Sequence, residues 1–207
     1  MFQELPLEAR RELARIFLPL RVRRGASLYA LGDGVDGVYL VREGLFWLEG
    51  PRSATGEAAS LGVVGPGGLL GEEALVGERR RTAGATALTY AELLFAKVEE
   101  LGSVRRYPEV EAFFLRALYR RLKGAEEALW AARHLSVAQR LARLLLTLAQ
   151  EGEVALSHQD LAHMVGATRE TVTKLLGEWA LKGFVDLGYR RVELRDPEAL
   201  ARLAEAL

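Results

Sequence analysis

Gly166, Ala167, Thr168, Arg169 and Glu170 stand in a row, followed by Thr171, Val172, Lys174, Leu175 and Leu176. These types at these spacings describe a chemistry. An arginine side chain donates two parallel hydrogen bonds to guanine O6 and N7, and a carboxylate accepts one from cytosine N4. Lys174, about one turn beyond Glu170 on a helix, carries a third charge to the same side. Val172, Leu175 and Leu176 supply the opposite, apolar side, together with Leu161, Met164 and Val165 upstream. Thr168 is a helix N-cap type and Gly166 a C-terminal glycine, so the run reads as two short helices joined through Gly166, Ala167 and Thr168. That is a helix-turn-helix pattern, in which the first residues of the second helix meet base edges in a DNA major groove. Ser157, His158, Gln159, Thr168 and Thr171, with Arg190 and Arg191 further on, are candidate phosphate contacts, which fix register without reading sequence.

These side chains need elements to hold them. Ser157 with Asp160 opens the first helix, and the second runs to about Gly183. The stretch "FVDLGYRRVEL" predicts two short strands around Gly188 and Tyr189, a hairpin that acts as a wing, and Asp196 with Pro197 opens a terminal helix. Upstream, Ser136 with Gln139 forms a capping-box pattern that starts the helix "VAQRLARLLLTLAQ", ended by Gly152. Between Pro108 and His134, Leu115, Leu118, Leu122, Ala125, Leu129 and Ala132 recur at alternating three and four spacing, the seam of a coiled coil. Phe113, Phe114 and Trp130 give that helix a second apolar side to cover a neighbouring domain. Roughly two-thirds of the glycines lie between Gly25 and Gly84, among short apolar runs that predict an all-β sandwich or barrel. A short amphipathic helix, "LPLEARRELARIF", precedes it.

The bulk composition excludes several classes. Lys and Arg number 28 and Asp and Glu 28, so the net charge is zero and no overall field draws the chain to nucleic acid. DNA binding must come from a local arrangement. With no cysteine, disulfides, cysteine-ligated zinc or iron–sulfur clusters and thiol catalysis are ruled out. His134, His158 and His163 are too dispersed for a metal cage, so no metal site is expected. Neither a P-loop, a dinucleotide fingerprint nor a nucleophile elbow occurs, and the expectation is a non-enzyme. A charged start and short apolar runs predict a cytoplasmic protein with no membrane segment.

The run "VGATRETVTKLL", followed by "GFVDL" and a hairpin, resembles the winged-helix domain of the CRP/FNR family of bacterial transcription regulators. "VRRGASLYALGDGVDGVYLVREGLFWL" is similar to the opening of that family's cyclic-nucleotide-binding roll. "LLGEEALVGERRRTAGATA" is similar to its phosphate-binding cassette, so the resemblance covers nearly the whole chain. It implies that Arg169, Glu170 and Lys174 read a TGTGA-type half-site. Lys174 stands where the cyclic-AMP receptor branch has arginine, and lysine lacks the bidentate fork, so readout there is expected to be looser. In the cassette, Gly71 marks a helix start whose N–H groups offer an anion site, Arg81 and Thr82 meet a phosphate, and Glu72 accepts from a ribose hydroxyl. Without a ligand, Glu72 and Arg81 are expected to pair with each other. Glu73 replaces an apolar residue and adds a negative charge. Cyclic-AMP-binding relatives carry Thr-Ser on the long helix where this chain has Ala125 and Glu126. Cyclic AMP, another effector and no effector all stay open, and in the last case Glu126 with neighbouring arginines is the place for a built-in substitute.

The resulting expectation is an α+β chain: a β-roll sensor over 1–106, a long dimerisation helix and hinge over 107–135, and a winged helix-turn-helix domain over 136–207. It acts as a homodimer on double-stranded DNA, activates transcription through RNA polymerase, and Glu126 joins Gly71, Glu72, Arg81 and Thr82 as candidate effector contacts. A second reading is a cyclic-nucleotide-binding module that controls a partner protein or enzyme. The Arg169–Glu170 helix and its wing argue against it, because such a module has no use for them.

Overall fold

The computed structural model describes residues 5–52, 58–149 and 151–205. These divide into two compact units, 1–125 and 126–207. The division falls inside the long helix rather than at either of its ends, where the sequence put the boundaries.

The first unit opens with α1 (Leu7–Ile16), which Pro6 precedes as N-cap. Eight strands follow: β1 (Leu18–Val22), β2 (Ser27–Tyr29), β3 (Gly37–Glu43), β4 (Phe46–Arg52), β5 (Ala58–Val64), β6 (Leu69–Leu70), β7 (Gly84–Ala87) and β8 (Ala91–Lys97). A four-residue helix, α2 (Glu73–Val76), interrupts them between β6 and β7, and α3 (Leu101–Arg105) closes the roll. Two antiparallel sheets result, ordered β1-β8-β3-β6 and β2-β7-β4-β5. Their pairing explains the glycine-rich pattern of short apolar runs. In β3 the residues Val38, Tyr39, Leu40 and Val41 are all buried, because the strand is covered on both faces. Tyr39 and Val41 point into the roll with Phe46, Leu48, Leu70, Ala85 and Leu93. Val38 and Leu40 point the other way, onto a second core made with Leu13, Ile16, Leu69, Leu101 and Val104.

The long helix α4 (Pro108–His134) begins on that second core. At 27 residues it runs about 40 Å. Its first turns bury Val110, Phe114 and Ala117, and Phe114 lies 6.4 Å from the ring of Phe17. Phe113 and Leu118 pack partly against the same cluster. The expected seam therefore splits. Leu115, Leu122 and Leu129, seven residues apart, are 68%, 56% and 54% exposed, and Ala125 and Ala132 are exposed with them. Leu118 is turned toward the roll instead. Trp130, expected to cover the β domain, is exposed and rests against His134 with ring centroids 5.4 Å apart.

The second unit contains α5 (Val137–Leu148), β9 (Glu153–Val154), α6 (His158–Val165), α7 (Arg169–Leu181), β10 (Val185–Gly188), β11 (Arg191–Leu194) and α8 (Pro197–Glu205). Ser136 and Gln139 form the capping box that starts α5. That helix stops at Leu148, four residues before the expected glycine, and Gly152 instead serves the turn into a strand the sequence did not reveal. β9 pairs with β11, so the wing is a three-stranded sheet, β10-β11-β9. Leu141, Leu145, Leu161, Val172, Leu176, Val185, Val192 and Leu200 form fully buried positions of this unit. Arg140 ties its helices together: Nε donates to the Val165 carbonyl at 3.0 Å and Nη1 to that of Leu135 at 2.6 Å. Among the described residues no helix is long and apolar enough to cross a membrane.

Phe114→Ala removes a ring that is 2% exposed, so it is expected to destabilise the first unit by about 3–5 kcal/mol. Leu122→Ala, on the exposed stripe, is expected to leave the unfolding of a dilute chain within about 0.5 kcal/mol. Denaturant titration of the two variants checks the contrast.

Candidate nucleic-acid interface and anion cradle

The two helices of the expected reading head are joined as the sequence indicates. The Ser157 hydroxyl accepts from the Asp160 N–H at 3.2 Å, and Asp160 Oδ2 accepts from the Ser157 N–H at 2.9 Å and from its hydroxyl at 2.6 Å. At the far end Gly166 has φ +63, a left-handed conformation that a side chain would strain. Thr168 then caps α7 by accepting from the Thr171 N–H at 3.2 Å.

Helical geometry sorts the side chains of α7. At about 100° per residue, Val172, Leu176 and Trp179 fall on one arc and Glu170 and Lys174 on the side facing away from it, while Arg169 lies on the flank of the apolar arc and is exposed as the first residue of the helix. Burial follows: the first three are 0–3% exposed and the second three are exposed. Leu175 and Met164, expected in the apolar interface, are only half-buried at its margin. Among the described residues, the side chains of Arg169, Glu170 and Lys174 have no hydrogen-bond or ion-pair partner. The wing contrasts with them. Arg191 reaches Glu153 at 3.4 Å, and Arg195 reaches Asp186 at 2.7 Å and Glu193 at 2.9 Å. Arg190, at φ +55 in the wing turn, lies 3.7 Å from Asp160. The wing arginines are thus partly committed to holding the sheet, while the three charges of α7 are free to meet a ligand.

Two of the flanking candidates are hydrogen-bonded to other residues of the unit. His158 Nδ1 meets Thr173 Oγ1 at 3.0 Å, which links the start of α6 to α7, and Gln159 Nε2 meets His163 Nε2 at 2.7 Å. Burial first, and then the positive charge of Arg169, hold the His158 imidazole below its ordinary value. The sequence pattern did not show the His158–Thr173 contact, because no helical spacing relates residues on different helices.

In the first unit, the cassette is assembled differently from expectation. Arg81 is 2% exposed, although it closes an arginine run that reads as a solvated loop. Its Nη2 donates to Asp36 Oδ1 at 2.5 Å and to the Gly37 carbonyl at 2.8 Å, and its Nη1 donates to Glu73 Oε2 at 3.3 Å. Its guanidinium lies over the Tyr29 ring, 4.3 Å from the centroid. The Tyr39 hydroxyl donates to both oxygens of Asp36, which fixes that carboxylate. Glu73 Oε1 accepts from the Thr82 N–H at 2.8 Å and from the Thr82 hydroxyl at 2.7 Å. The expected Glu72–Arg81 pair is not formed: Glu72 pairs with Arg121 of α4. The two carboxyls are adjacent in sequence and point in different directions: Glu73 points into the unit and is 5% exposed whereas Glu72 is at its rim. Ala74 and Leu75 donate their N–H groups to the Gly71 and Glu72 carbonyls, so these donors of the short helix are already engaged. Gly71, at φ +74, lies so close to Arg81 and the Gly37 carbonyl that a side chain has no room. Its glycine serves arginine packing. Glu126 is exposed on α4.

The two neighbouring carboxyls are held apart. Burial pushes Glu72 up, with Arg121 pulling against it. Burial also works against the charge of Glu73, but the Thr82 hydrogen bonds and Arg81 outweigh it and hold that carboxyl below its ordinary value. Among the described residues no cluster of acidic and histidine side chains has the makings of a metal site.

Comparison with known proteins covers both units. Residues 139–203 match a Crp-like helix-turn-helix domain, and residues 19–106 a cyclic nucleotide-binding domain. A CRP-like cAMP-activated global transcriptional regulator from Mycobacterium tuberculosis is 31% identical over 99% of this chain and 96% of its own length. The transcriptional regulator SdrP from Thermus thermophilus is 36% identical over 83% of this chain and 85% of its own. A crystal structure of a CRP/FNR-family transcriptional regulator from the same organism superposes with a TM-score of 0.75 at 32% identity, covering 91% of this chain and 99% of that one.

Because the folded chain binds a proton at His158 more weakly than the unfolded chain does, the stability contributed by the neutral, half-buried imidazole is fully present above about pH 6.5 and is lost as pH falls through the lowered value. Arg169→Ala is expected to bring the His158 value back toward the ordinary one. An NMR titration of the imidazole Cε1–H in both proteins checks this; identical curves place Arg169 away from the ring.

Proposed function

The chain belongs to the CRP/FNR family of bacterial transcription regulators, and from that premise we propose that it is a homodimeric activator that reads a TGTGA-like, two-fold symmetric DNA site through Arg169, Glu170 and Lys174. The observation that carries the reading is that these three charges on the first turns of a capped helix are exposed and, among the described residues, unpaired, while Val172, Leu176 and Trp179 of the same helix are buried. Arg169 donates a fork to a guanine, Glu170 accepts from a cytosine amino group, and Lys174 adds a single-point contact. Ser157, His158, Gln159, Thr168, Thr171 and Arg190 approach phosphates and set the register.

Two-fold symmetry is supported by the stripe of Leu115, Leu122 and Leu129. Three leucines at heptad spacing, all more than half exposed, bury their surface when a second copy of the helix packs along them. Ala125 and Ala132 on the same stripe let two helices approach closely. With two reading heads, half-sites fall about 10 base pairs apart, one helical turn. Activation through RNA polymerase is the reading the family supports.

A gel shift with a two-fold symmetric TGTGA site at fixed salt tests this. Arg169→Ala is expected to weaken specific binding by about 1–3 kcal/mol, roughly five- to 150-fold, while non-specific binding changes little. An unchanged shift overturns the reading and leaves the partner-controlling module in its place. Leu122→Glu is expected to shift the chain to monomer in sedimentation and to abolish the shift of the two-fold site.

A further inference from the structure

Three donors converge on one point of the first unit: Arg81 Nη1, the Thr82 N–H and the Thr82 hydroxyl. A guanidinium, a backbone amide and a hydroxyl aimed together form a seat for an oxyanion such as a phosphodiester. In this chain both oxygens of Glu73 lie in that seat. Oε1 takes the two Thr82 donors and Oε2 takes the arginine. Nη2 is taken by Asp36 and the Gly37 carbonyl, while Nε is buried without a hydrogen-bond partner among the described residues. Arg121, the second cation nearby, is taken by Glu72. Three carboxylates thus face two guanidiniums, so the cluster has no spare positive charge for an incoming anion.

We propose that the Glu73 carboxylate is the resident anion of the Arg81–Thr82 cradle, so that the β-roll of this chain excludes the phosphate of a cyclic nucleotide and the protein binds its DNA site without one. The second half of this statement rests on the DNA-reading function proposed above; the first half does not. Glu73 is therefore a specificity-determining residue: it replaces the ligand rather than binding it. It occupies the seat from within the chain, so an incoming anion must displace an intramolecular partner. The residues of the roll do not fit a cyclic nucleotide while it is there.

Calorimetric titration of the full-length chain with cyclic AMP is expected to give no saturable heat up to about 1 mM, and Glu73→Ala is expected to gain affinity by at least about tenfold. The same variant should have a lower thermal midpoint that inorganic phosphate or cyclic AMP raises, with neither affecting the unaltered chain. Saturable micromolar binding of cyclic AMP to the unaltered chain overturns the proposal, as does a folded Glu73→Ala variant that neither ligand stabilises. Should Glu73→Ala not fold, Glu73→Gln keeps the volume and loses the charge. Its stability deficit is expected at neutral pH and should vanish as pH falls through the lowered Glu73 value, since the charged form's contribution is lost there; a deficit independent of pH overturns the proposal. These readouts use no DNA, so their failure leaves the reading head standing. A gel shift of the unaltered chain that requires cyclic AMP overturns both halves of the proposal, whereas no shift with or without it overturns only the DNA-reading function.

Discussion

A guanidinium that is 2% exposed needs anions and acceptors inside the protein, and the first unit is organised around that need. Arg81 draws Asp36 from the start of β3, Glu73 from α2, the carbonyl of Gly37 and the faces of Tyr29 and Tyr39 into one cluster. The backbone follows: Arg81 donates its N–H to Asp33 and accepts from Gly32, which pins the loop between β2 and β3. Gly71 is required because any side chain there collides with the arginine. Burial raises both tyrosines, so their hydroxyls remain protonated, and that of Tyr39 is kept as a donor to Asp36.

Magnitude decides whether an outside anion competes with this arrangement. Two unit charges about 4 Å apart interact by about 4 kcal/mol at an effective dielectric of about 20, close to a thousandfold in affinity. A phosphodiester brought beside Glu73 meets repulsion of that order while Arg81 is already engaged. On the proposed reading, the donors that suit a phosphate are retained and one carboxylate fills their seat. The family's roll survives as a scaffold because its core, Val41, Phe46, Leu70, Ala85 and Leu93, makes no use of the seat.

The second unit follows the opposite rule. Among the described residues its buried positions are apolar apart from Asp160, which is bonded to Ser157 and approached by Arg190. Charge is left over on α7, where Arg169, Glu170 and Lys174 find no partner among the described residues. An unpaired exposed charge costs little in water, so such a surface is stable alone and is available to a polyanion carrying complementary base edges.

The reading head was legible from local sequence, because capping residues, a C-terminal glycine and an amphipathic period are all relations between residues a few positions apart. Ser157 with Asp160, Gly166, Thr168, and the buried Val172 and Leu176 all stand where those relations put them. The β9 strand and the split of the α4 seam were not legible: β9 exists only by pairing with β11, and Leu118 turns inward only because the roll's core is there to receive it. Least legible was the cradle. Glu73 stands eight residues before Arg81 and Asp36 forty-five before it, and no period links such separations. Sequence by itself determined which residues carry charge and which local elements form. Tertiary structure alone decided which charges meet, since ion pairing depends on distance in space, and only the closed roll brings those side chains within hydrogen-bond reach.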